Sequence, residues 1–490
     1  MSSSLKDKMI GALAWSSVDR VAQQGIQFII GIVLARLLAP DDFGLLGMIM
    51  IFASLSYVLV ESGFSAALIR KENASETDYN SVFYVNLSIS VLLYTLLFFT
   101  IPYFAVFFKQ PALVATARIT CIAIIFNAFY LVPYVHVNRA MDFKTLAKIN
   151  LYATAISGII GIGLAVYGMG IWALVYQQLG YQLFRGIGFY SFVKWMPRWT
   201  FSFTSIRTLW AFSMHILGSS LLTIGFNNLY TFLLSRFYPI KQVGYYTQAS
   251  KMSETANFTF QAILGSSTYN LFTQIQADKE RLLRVYRQLV QHISLVVIPA
   301  TLVLVVVAKP LFYVLFSEKW LPAVPYFQLL CLANVFAPLY LLNMNALNSL
   351  GKSKLTFFIE IVKRVFILIS ILVCFQFGIQ ALLAGYAIAC TLAFGFSTIY
   401  IKKHLKHFFF HQINDVFMSL LIGSGIALLV FGVSSFLDNP YALLGAQLAF
   451  ALLLYVSVLR IFCKDKLNGF IDYIKRQKTK LVTELDAPKS

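Results

Sequence analysis

Charge is what this sequence lacks most: 12% of its 490 residues are Asp, Glu, Lys or Arg, while 59% are apolar. Soluble domains carry roughly a quarter charged residues, so this chain cannot coat a water-facing surface. That excludes nucleic-acid binders, secreted disulfide scaffolds and cytosolic enzymes. Cysteine is sparse too. Cys121, Cys331, Cys374, Cys390 and Cys463 form no C-x-x-C pair, and all but the last lie in apolar runs. They read as small core residues, not as disulfides or metal ligands. Acidic residues number 20 against 39 Lys plus Arg, a net charge of +19 whose meaning depends on placement.

What is abundant is apolar length. A bilayer crossing needs roughly 20 mostly apolar residues. Charge, Pro and Gly divide the chain into fourteen apolar segments, approximately 9–35, 43–69, 81–108, 112–135, 149–167, 170–190, 209–236, 243–270, 288–316, 323–346, 355–376, 379–401, 413–436 and 441–462. The first contains Asp19 and Arg20 and no small-residue cleavage pattern, so it reads as a membrane helix and not a removed signal. Lys and Arg accumulate on the cytoplasmic side of a membrane. With the amino terminus inside, 28 of the 39 fall in inside segments and six in outside ones. Both termini are therefore expected in the cytoplasm.

An internal repeat is the most specific signal. Leu34, Arg36 and Gly44 recur as Leu234, Arg236 and Gly244. Phe104-x-Val106-x-Phe108 recurs as Phe312-x-Val314-x-Phe316, and Gly170-Ile171-Trp172-Ala173-Leu174 as Gly378-Ile379-Gln380-Ala381-Leu382. Three collinear matches at nearly one offset imply two parallel six-helix repeats. The expected organisation is an all-α integral membrane protein of about fourteen helices. Its halves are 1–208 and 209–412, followed by a helix pair 413–462 and a basic cytoplasmic tail 463–490. Parallel repeats are a transporter arrangement, with the site expected between the halves.

Polar side chains inside the segments form stripes. Segment 1 carries Arg20, Gln24 and Gln27 at i, i+4, i+7, with Asp19 and Gln23 alongside; segment 2 carries Ser54, Tyr57, Glu61 and Ser65. Segment 7 carries His215, Ser219, Thr223 and Asn227, with Asn228 adjacent; segment 8 carries Ser250, Glu254, Asn257 and Gln261, with Lys251 one turn from Glu254. Facing lipid, each unpaired group costs several kcal/mol, so the stripes are expected to enclose a hydrated cavity. The charges expected inside the membrane are Asp19, Arg20, Glu61, Arg118, Lys251, Glu254, Glu360, Lys363 and Arg364. Each has two readings. Lys251 with Glu254, and Glu360 with Lys363 and Arg364, are spaced as ion pairs within one helix or as functional groups. Arg118, near an outside end, snorkels or contributes to the site. Arg20 is the foremost ligand candidate. Five cations against four anions favour an anionic substrate, since Lys and Arg bind phosphate.

Other signals fail on inspection. Leu350-Gly351-Lys352-Ser353 resembles the end of a phosphate-binding loop, but Ala346 stands where the motif needs Gly. His404, His407 and His411 lie in a basic loop and read as interfacial, with metal binding the lesser alternative. No metal or organic cofactor is expected. The basic tail reads as retention charge touching anionic lipid. No outside loop exceeds about ten residues, which leaves little scaffold for outer-face catalysis.

At the first turn, Leu34-Ala35-Arg36-Leu37-Leu38-Ala39-Pro40-Asp41-Asp42-Phe43-Gly44 resembles the signature of bacterial polysaccharide exporters of the Wzx type. Glu61-Ser62-Gly63-Phe64-Ser65-Ala66-Ala67-Leu68-Ile69, Arg139-Ala140-Met141-Asp142-Phe143-Lys144 and Val243-Gly244-Tyr245-Tyr246 are similar to the same family. The likeness covers essentially the whole chain and is nearest the colanic-acid-exporter-like branch. It implies a member of the multidrug/oligosaccharidyl-lipid/polysaccharide exporter superfamily, in the bacterial inner membrane. Such proteins flip undecaprenyl-pyrophosphate-linked oligosaccharides by ion-gradient-driven alternating access and are not enzymes. On that resemblance Arg20, Gln24, Gln27, Asn227, Lys251, Lys363, Arg364 and Arg118 are the expected contacts to pyrophosphate and sugars. Asp19, Glu61, Glu254 or Glu360 would couple H⁺ or Na⁺. Asn227 and Asn228 depart from related chains, which often carry a charge there. Implied partners are the lipid-linked glycan, membrane lipid and other polysaccharide-assembly proteins, without nucleic acid. The rival readings are a drug/cation antiporter of the same fold and, from another class, a membrane glycan polymerase or ligase.

Overall fold

Long apolar segments can satisfy their backbone inside lipid only as helices or closed barrels, and here helices form. The computed structural model describes residues 3–61, 63–405 and 409–462. The expected basic tail, Cys463 and His407 lie outside the described residues, as do the side chains of Gln261 and His411. In chain order the helices are α1 (Ser3–Leu37), α2 (Pro40–Glu61), α3 (Phe64–Arg70), α4 (Glu76–Phe107), α5 (Leu113–Arg139), α6 (Phe143–Val166), α7 (Ile171–Phe192) and α8 (Phe203–Phe237). They continue as α9 (Ile240–Ile275), α10 (Lys279–Phe316), α11 (Val324–Asn334), α12 (Ala337–Ser349), α13 (Ser353–Cys374), α14 (Ile379–Leu405), α15 (Phe409–Gly432) and α16 (Pro440–Phe462). Segment 43–69 is split into α2 and α3 at Gly63, whose φ of 70° breaks the helix. Segment 323–346 is split into α11 and α12. Among the described residues ten stretches are long and apolar enough to cross a membrane. Helices α1, α7, α9 and α13 fall short of that mark because they carry much of the chain's intramembrane charge and amide.

Three prolines shape the packing. Pro102, Pro133 and Pro299 lie inside α4, α5 and α10. Proline has no N–H to give the carbonyl four residues back, which frees the carbonyls of Phe98, Phe129 and Leu295. A carbonyl at membrane depth has no water to pair with and needs a donor, and in each case a neighbouring helix supplies one. Arg118 Nε and Nη2 donate to Phe98 at 3.1 and 2.9 Å. Tyr190 donates to Phe129 at 2.8 Å, and Tyr455 to Leu295 at 3.3 Å.

The chain forms two compact units, one of residues Met1–Thr255 with Leu315–Ala323, the other of Ala256–Val314 with Val324–Ser490. In the first, α6 packs on α1 and α7, α5 on α4 and α7, and α2 on α5 and α8. The repeated motifs meet each other there. A Cβ added to Gly44 would collide with the Ile240 carbonyl, and one added to Gly244 with the Pro40 carbonyl. Each would also lie 3.1 Å from the other glycine's backbone nitrogen. Only glycine permits this approach. The segment Leu315–Ala323 caps the end of α1, whose last carbonyls have no helical partner. Trp320 Nε1 donates to Ala35 at 2.8 Å, and Lys319 Nζ to Arg36 and Leu38 at 2.7 Å each. Trp320 is fully buried, edge-on to Phe43.

In the second unit α14 packs against α11, α12 and α13, and α15 against α16. Its core includes Phe272, Tyr286, Ile298, Leu347, Ile359 and Ile401. Gly378 (φ 91°) opens α14 as Gly170 (φ 54°) opens α7 in the first unit, so the repeated Gly-Ile pair marks the same kind of helix start in both. The Leu350–Ser353 stretch is the turn between α12 and α13, with Gly351 at φ 71°.

Candidate functional site

Helix α1 has two polar faces, because adjacent residues point about 100° apart on a helix. One face bears Asp19 and Gln23. Asp19 is buried, and its Oδ2 accepts from Asn150 Nδ2 of α6 at 3.1 Å. Gln23 Nε2 donates to the Tyr181 hydroxyl of α7 at 2.9 Å. The other face bears the predicted stripe of Arg20, Gln24 and Gln27, and it continues to Gly31. It meets the first part of α9: Gln24 Nε2 donates to Thr255 Oγ1 at 3.1 Å. The bare Cα of Gly31 receives the Lys251 ammonium, which would stand 3.5 Å from a Cβ placed there. Arg20, Gln27 and Lys251 are all exposed.

The ion pair that spacing allows between Lys251 and Glu254 is not made. Glu254 Oε1 instead accepts from Ser250 Oγ at 2.9 Å. Among the described residues, Lys251 thus has no carboxylate in contact. On the neighbouring pair, Asn228 Nδ2 donates to Ser54 Oγ at 3.0 Å, which ties the α8 stripe to the α2 stripe. Asn227 and Glu61 are exposed.

Arg185 is the functional group that sequence reasoning missed. The Lys/Arg tally placed it with the cytoplasmic charges, yet it lies inside α7 and half-buried. Its Nε donates to Asn150 Oδ1 at 3.0 Å and its Nη1 to the Tyr130 hydroxyl at 3.1 Å. Tyr130 in turn donates to Gln182 Oε1 at 2.6 Å and accepts from Asn127 at 2.8 Å. The guanidinium carbon sits 5.0, 5.7, 5.9 and 5.7 Å from the rings of Tyr130, Tyr134, Tyr181 and Phe189. A signal existed: Gln178, Gln182 and Arg185 repeat the i, i+4, i+7 spacing of Arg20, Gln24 and Gln27. Within this network Asp19 Oδ1 and Asn127 Oδ1 are buried without a partner.

The other expected residues have partners of their own within each unit. Arg118 has two donors taken by the Phe98 carbonyl, and its guanidinium lies 3.9 Å from the centre of the Phe98 ring. That is a clamp between α4 and α5, and it leaves Arg118 committed to the helix pair. Glu360, Lys363 and Arg364 belong to the second unit, on α13. Glu360 Oε1 accepts from the Tyr340 hydroxyl at 2.7 Å, and Lys363 Nζ stands 4.6 Å over the Tyr340 ring. Tyr340 on α12 therefore separates the roles that spacing suggested for a Glu360–Lys363 pair. Nearby, Tyr286 donates to Asn343 Oδ1 at 2.6 Å, and Asn343 Nδ2 to Ser397 Oγ at 2.7 Å, all buried.

Comparison with known proteins places this geometry. The family described as polysaccharide biosynthesis protein matches residues 33–325, a span that contains all four motifs singled out in the sequence. The succinoglycan biosynthesis transport protein ExoT of Rhizobium meliloti is 26% identical over 66% of this chain and 65% of its own length. The match thus spans just under two thirds of that relative. The teichuronic acid biosynthesis protein TuaB of Bacillus subtilis is 25% identical over 89% of this chain and 90% of its own. Among solved structures, lipid II flippase MurJ in an inward closed conformation superposes with a TM-score of 0.77 at 16% identity, covering 92% of this chain and 99% of that one. The fold is that of a multi-pass membrane transporter, and by its sequence this chain belongs to the polysaccharide biosynthesis protein family.

Proposed function

We propose that the protein flips polyprenyl-pyrophosphate-linked oligosaccharides across the bacterial plasma membrane for cell-surface polysaccharide assembly. Lys251 carries the reading: it is exposed, has no carboxylate within 4 Å among the described residues, and is set against a helix striped with Arg20, Gln24 and Gln27. An uncompensated cation at membrane depth costs a few kcal/mol, and an anionic cargo removes that cost when it binds. Pyrophosphate supplies the charge, and glutamine, asparagine and hydroxyl groups suit sugar hydroxyls. Lys363 and Arg364 offer a second cationic station, and Asn227 a further polar contact. The chain crosses the membrane fourteen times with both termini cytoplasmic, as two halves (1–208, 209–412) and a pair (413–462). Asp19, Glu61, Glu254 or Glu360 takes up the driving H⁺ or Na⁺ and biases the halves between two states. The protein acts as a transporter and not as an enzyme.

The test is flipping of a fluorescent lipid-linked oligosaccharide in proteoliposomes. Loss of a charged hydrogen bond is worth about 1.5–3 kcal/mol, so Arg20→Ala with Lys251→Ala should slow flipping by tenfold or more. A wild-type rate would refute the cationic site. Ion-coupled extrusion of cationic dyes by the same vesicles, without flipping, would instead establish a drug/cation antiporter.

A further inference from the structure

We infer that Arg185 is a positioning residue: acting through Asn150 and Asp19, it fixes the rotation of α1 that turns Arg20, Gln24 and Gln27 toward α9. The inference rests on the flippase reading for its transport consequence, but not for its geometry.

Asn150 is the bridge. Its carbonyl oxygen accepts from the guanidinium at 3.0 Å, and its NH₂ donates to the carboxylate at 3.1 Å. An amide is polarised the same way, so the cation and the anion fix which way Asn150 points. The guanidinium itself has little freedom, boxed by four aromatic rings and tied to the Tyr130 hydroxyl at 3.1 Å. Asp19, buried, is therefore held at a set place on α6. Gln23, one turn further along the same face, is held by Tyr181 of α7 at 2.9 Å. Two anchors on one face leave α1 no rotational freedom. The stripe on its other face then meets Thr255 and Lys251. The carboxylate of Asp19 and the guanidinium of Arg185 thus face each other across one amide. Glu61, by contrast, is exposed.

The rotation of α1 can be read directly. Gln24 Nε2 and Thr255 Oγ1 are 3.1 Å apart; cysteine is shorter than glutamine by two bonds, so Gln24→Cys with Thr255→Cys should be joined by a short bifunctional thiol reagent, ethane-1,2-diyl bismethanethiosulfonate, when the five native cysteines are replaced by serine. Added to that pair, Asp19→Asn or Arg185→Gln should each lower the cross-linking yield severalfold. Asp19→Asn with Arg185→Gln should restore it, because two neutral amides can still hydrogen-bond through Asn150. Flipping in proteoliposomes, measured without the cysteine pair and normalised to membrane abundance, should follow the same pattern. We expect a loss of about tenfold in either single variant and recovery to within about threefold in the double variant. Glu61→Gln with Arg185→Gln should not recover. Arg185→Lys keeps the charge but not the two-donor geometry, and should cross-link at an intermediate yield. Unchanged cross-linking in both single variants would overturn the inference. So would a double variant that cross-links normally and is abundant yet flips no better than Asp19→Asn, since the Asp19 charge itself would then be required. A failure of the flippase reading would show differently, as wild-type protein that cross-links but moves no lipid-linked oligosaccharide.

Discussion

Replacing Arg118 with methionine removes a guanidinium whose partner is a carbonyl that Pro102 has left open. Arg118 Nε and Nη2 reach the same Phe98 oxygen at 3.1 and 2.9 Å, so they count as one shared hydrogen bond from a charged donor. Such a bond is worth about 1.5–3 kcal/mol net. The ring contact at 3.9 Å adds about 1 kcal/mol. The total, about 2.5–4 kcal/mol, is a sizeable part of ordinary folding stability and should lower both Tm and membrane abundance. The cause can be isolated with a second substitution. In Pro102→Ala the new N–H at position 102 closes the helical bond to Phe98, and Arg118 becomes redundant there. Arg118→Met in that background should cost only the ring contact, which gives a coupling of about 1.5–3 kcal/mol in a double-mutant cycle. The assay is tryptophan-monitored or size-exclusion thermal unfolding of four detergent-purified proteins, with flipping measured alongside. An equal Tm loss in both backgrounds would refute the proline argument. An Arg118→Met protein of normal Tm that flips tenfold more slowly would make Arg118 a cargo contact after all.

The same carbonyl logic predicts that Tyr190→Phe and Tyr455→Phe each destabilise by about 1–2 kcal/mol by orphaning Phe129 and Leu295, read as a lower Tm. A milder loss at Tyr455 is expected, since its bond is longer. Glycines give a matched comparison. Gly44→Ala and Gly244→Ala drive a Cβ into opposing backbone and should abolish accumulation of folded protein. Gly25→Ala and Gly225→Ala, with nothing within 4 Å of the added atom, should leave it unchanged or raise Tm slightly through helix propensity. Equal tolerance at all four positions, scored by fluorescence-detected size exclusion, would remove the close approach from the account.

Segment positions were legible because hydrophobic length is a local property. Every predicted apolar stretch lies on α1–α16, and the misplaced ends have local causes. Helix α10 begins at Lys279, nine residues before the predicted segment, because Lys279, Arg281, Arg284 and Arg287 are helical but not apolar. The stripe Arg20–Gln24–Gln27 was legible for the same reason, since its spacing is internal to one helix. Partners were not. Nothing in the sequence tells Arg118 that its acceptor is Phe98, or Glu360 that its donor is Tyr340, because those pairings follow from how helices pack. Arg185 was lost to a counting rule: the Lys/Arg bias describes loops, and a cation seven residues from a helix end can belong to either side of that boundary.

The repeat joins the two kinds of information. Leu34, Arg36 and Gly44 recur at an offset of 200 as Leu234, Arg236 and Gly244, which by itself is only a likeness between two stretches of chain. In the folded first unit those stretches touch. Gly44 lies on Ile240 and Gly244, and Gly244 lies on Pro40 and Gly44, so each position contacts its own counterpart and the counterpart of its neighbour. That is the signature of a self-complementary contact about a two-fold axis, of the kind identical subunits make, here within one chain. Such a contact constrains both copies at once. A side chain at either glycine obstructs the other copy's backbone, so no change on one side can be accommodated by freedom on the other. Glycine at 44 and 244 is thus required at each position by the backbone of the facing copy. The Gly170-Ile171-Trp172 and Gly378-Ile379-Gln380 copies differ at their third residue, and what their local backbone demands is the helix-opening glycine at positive φ, which both keep.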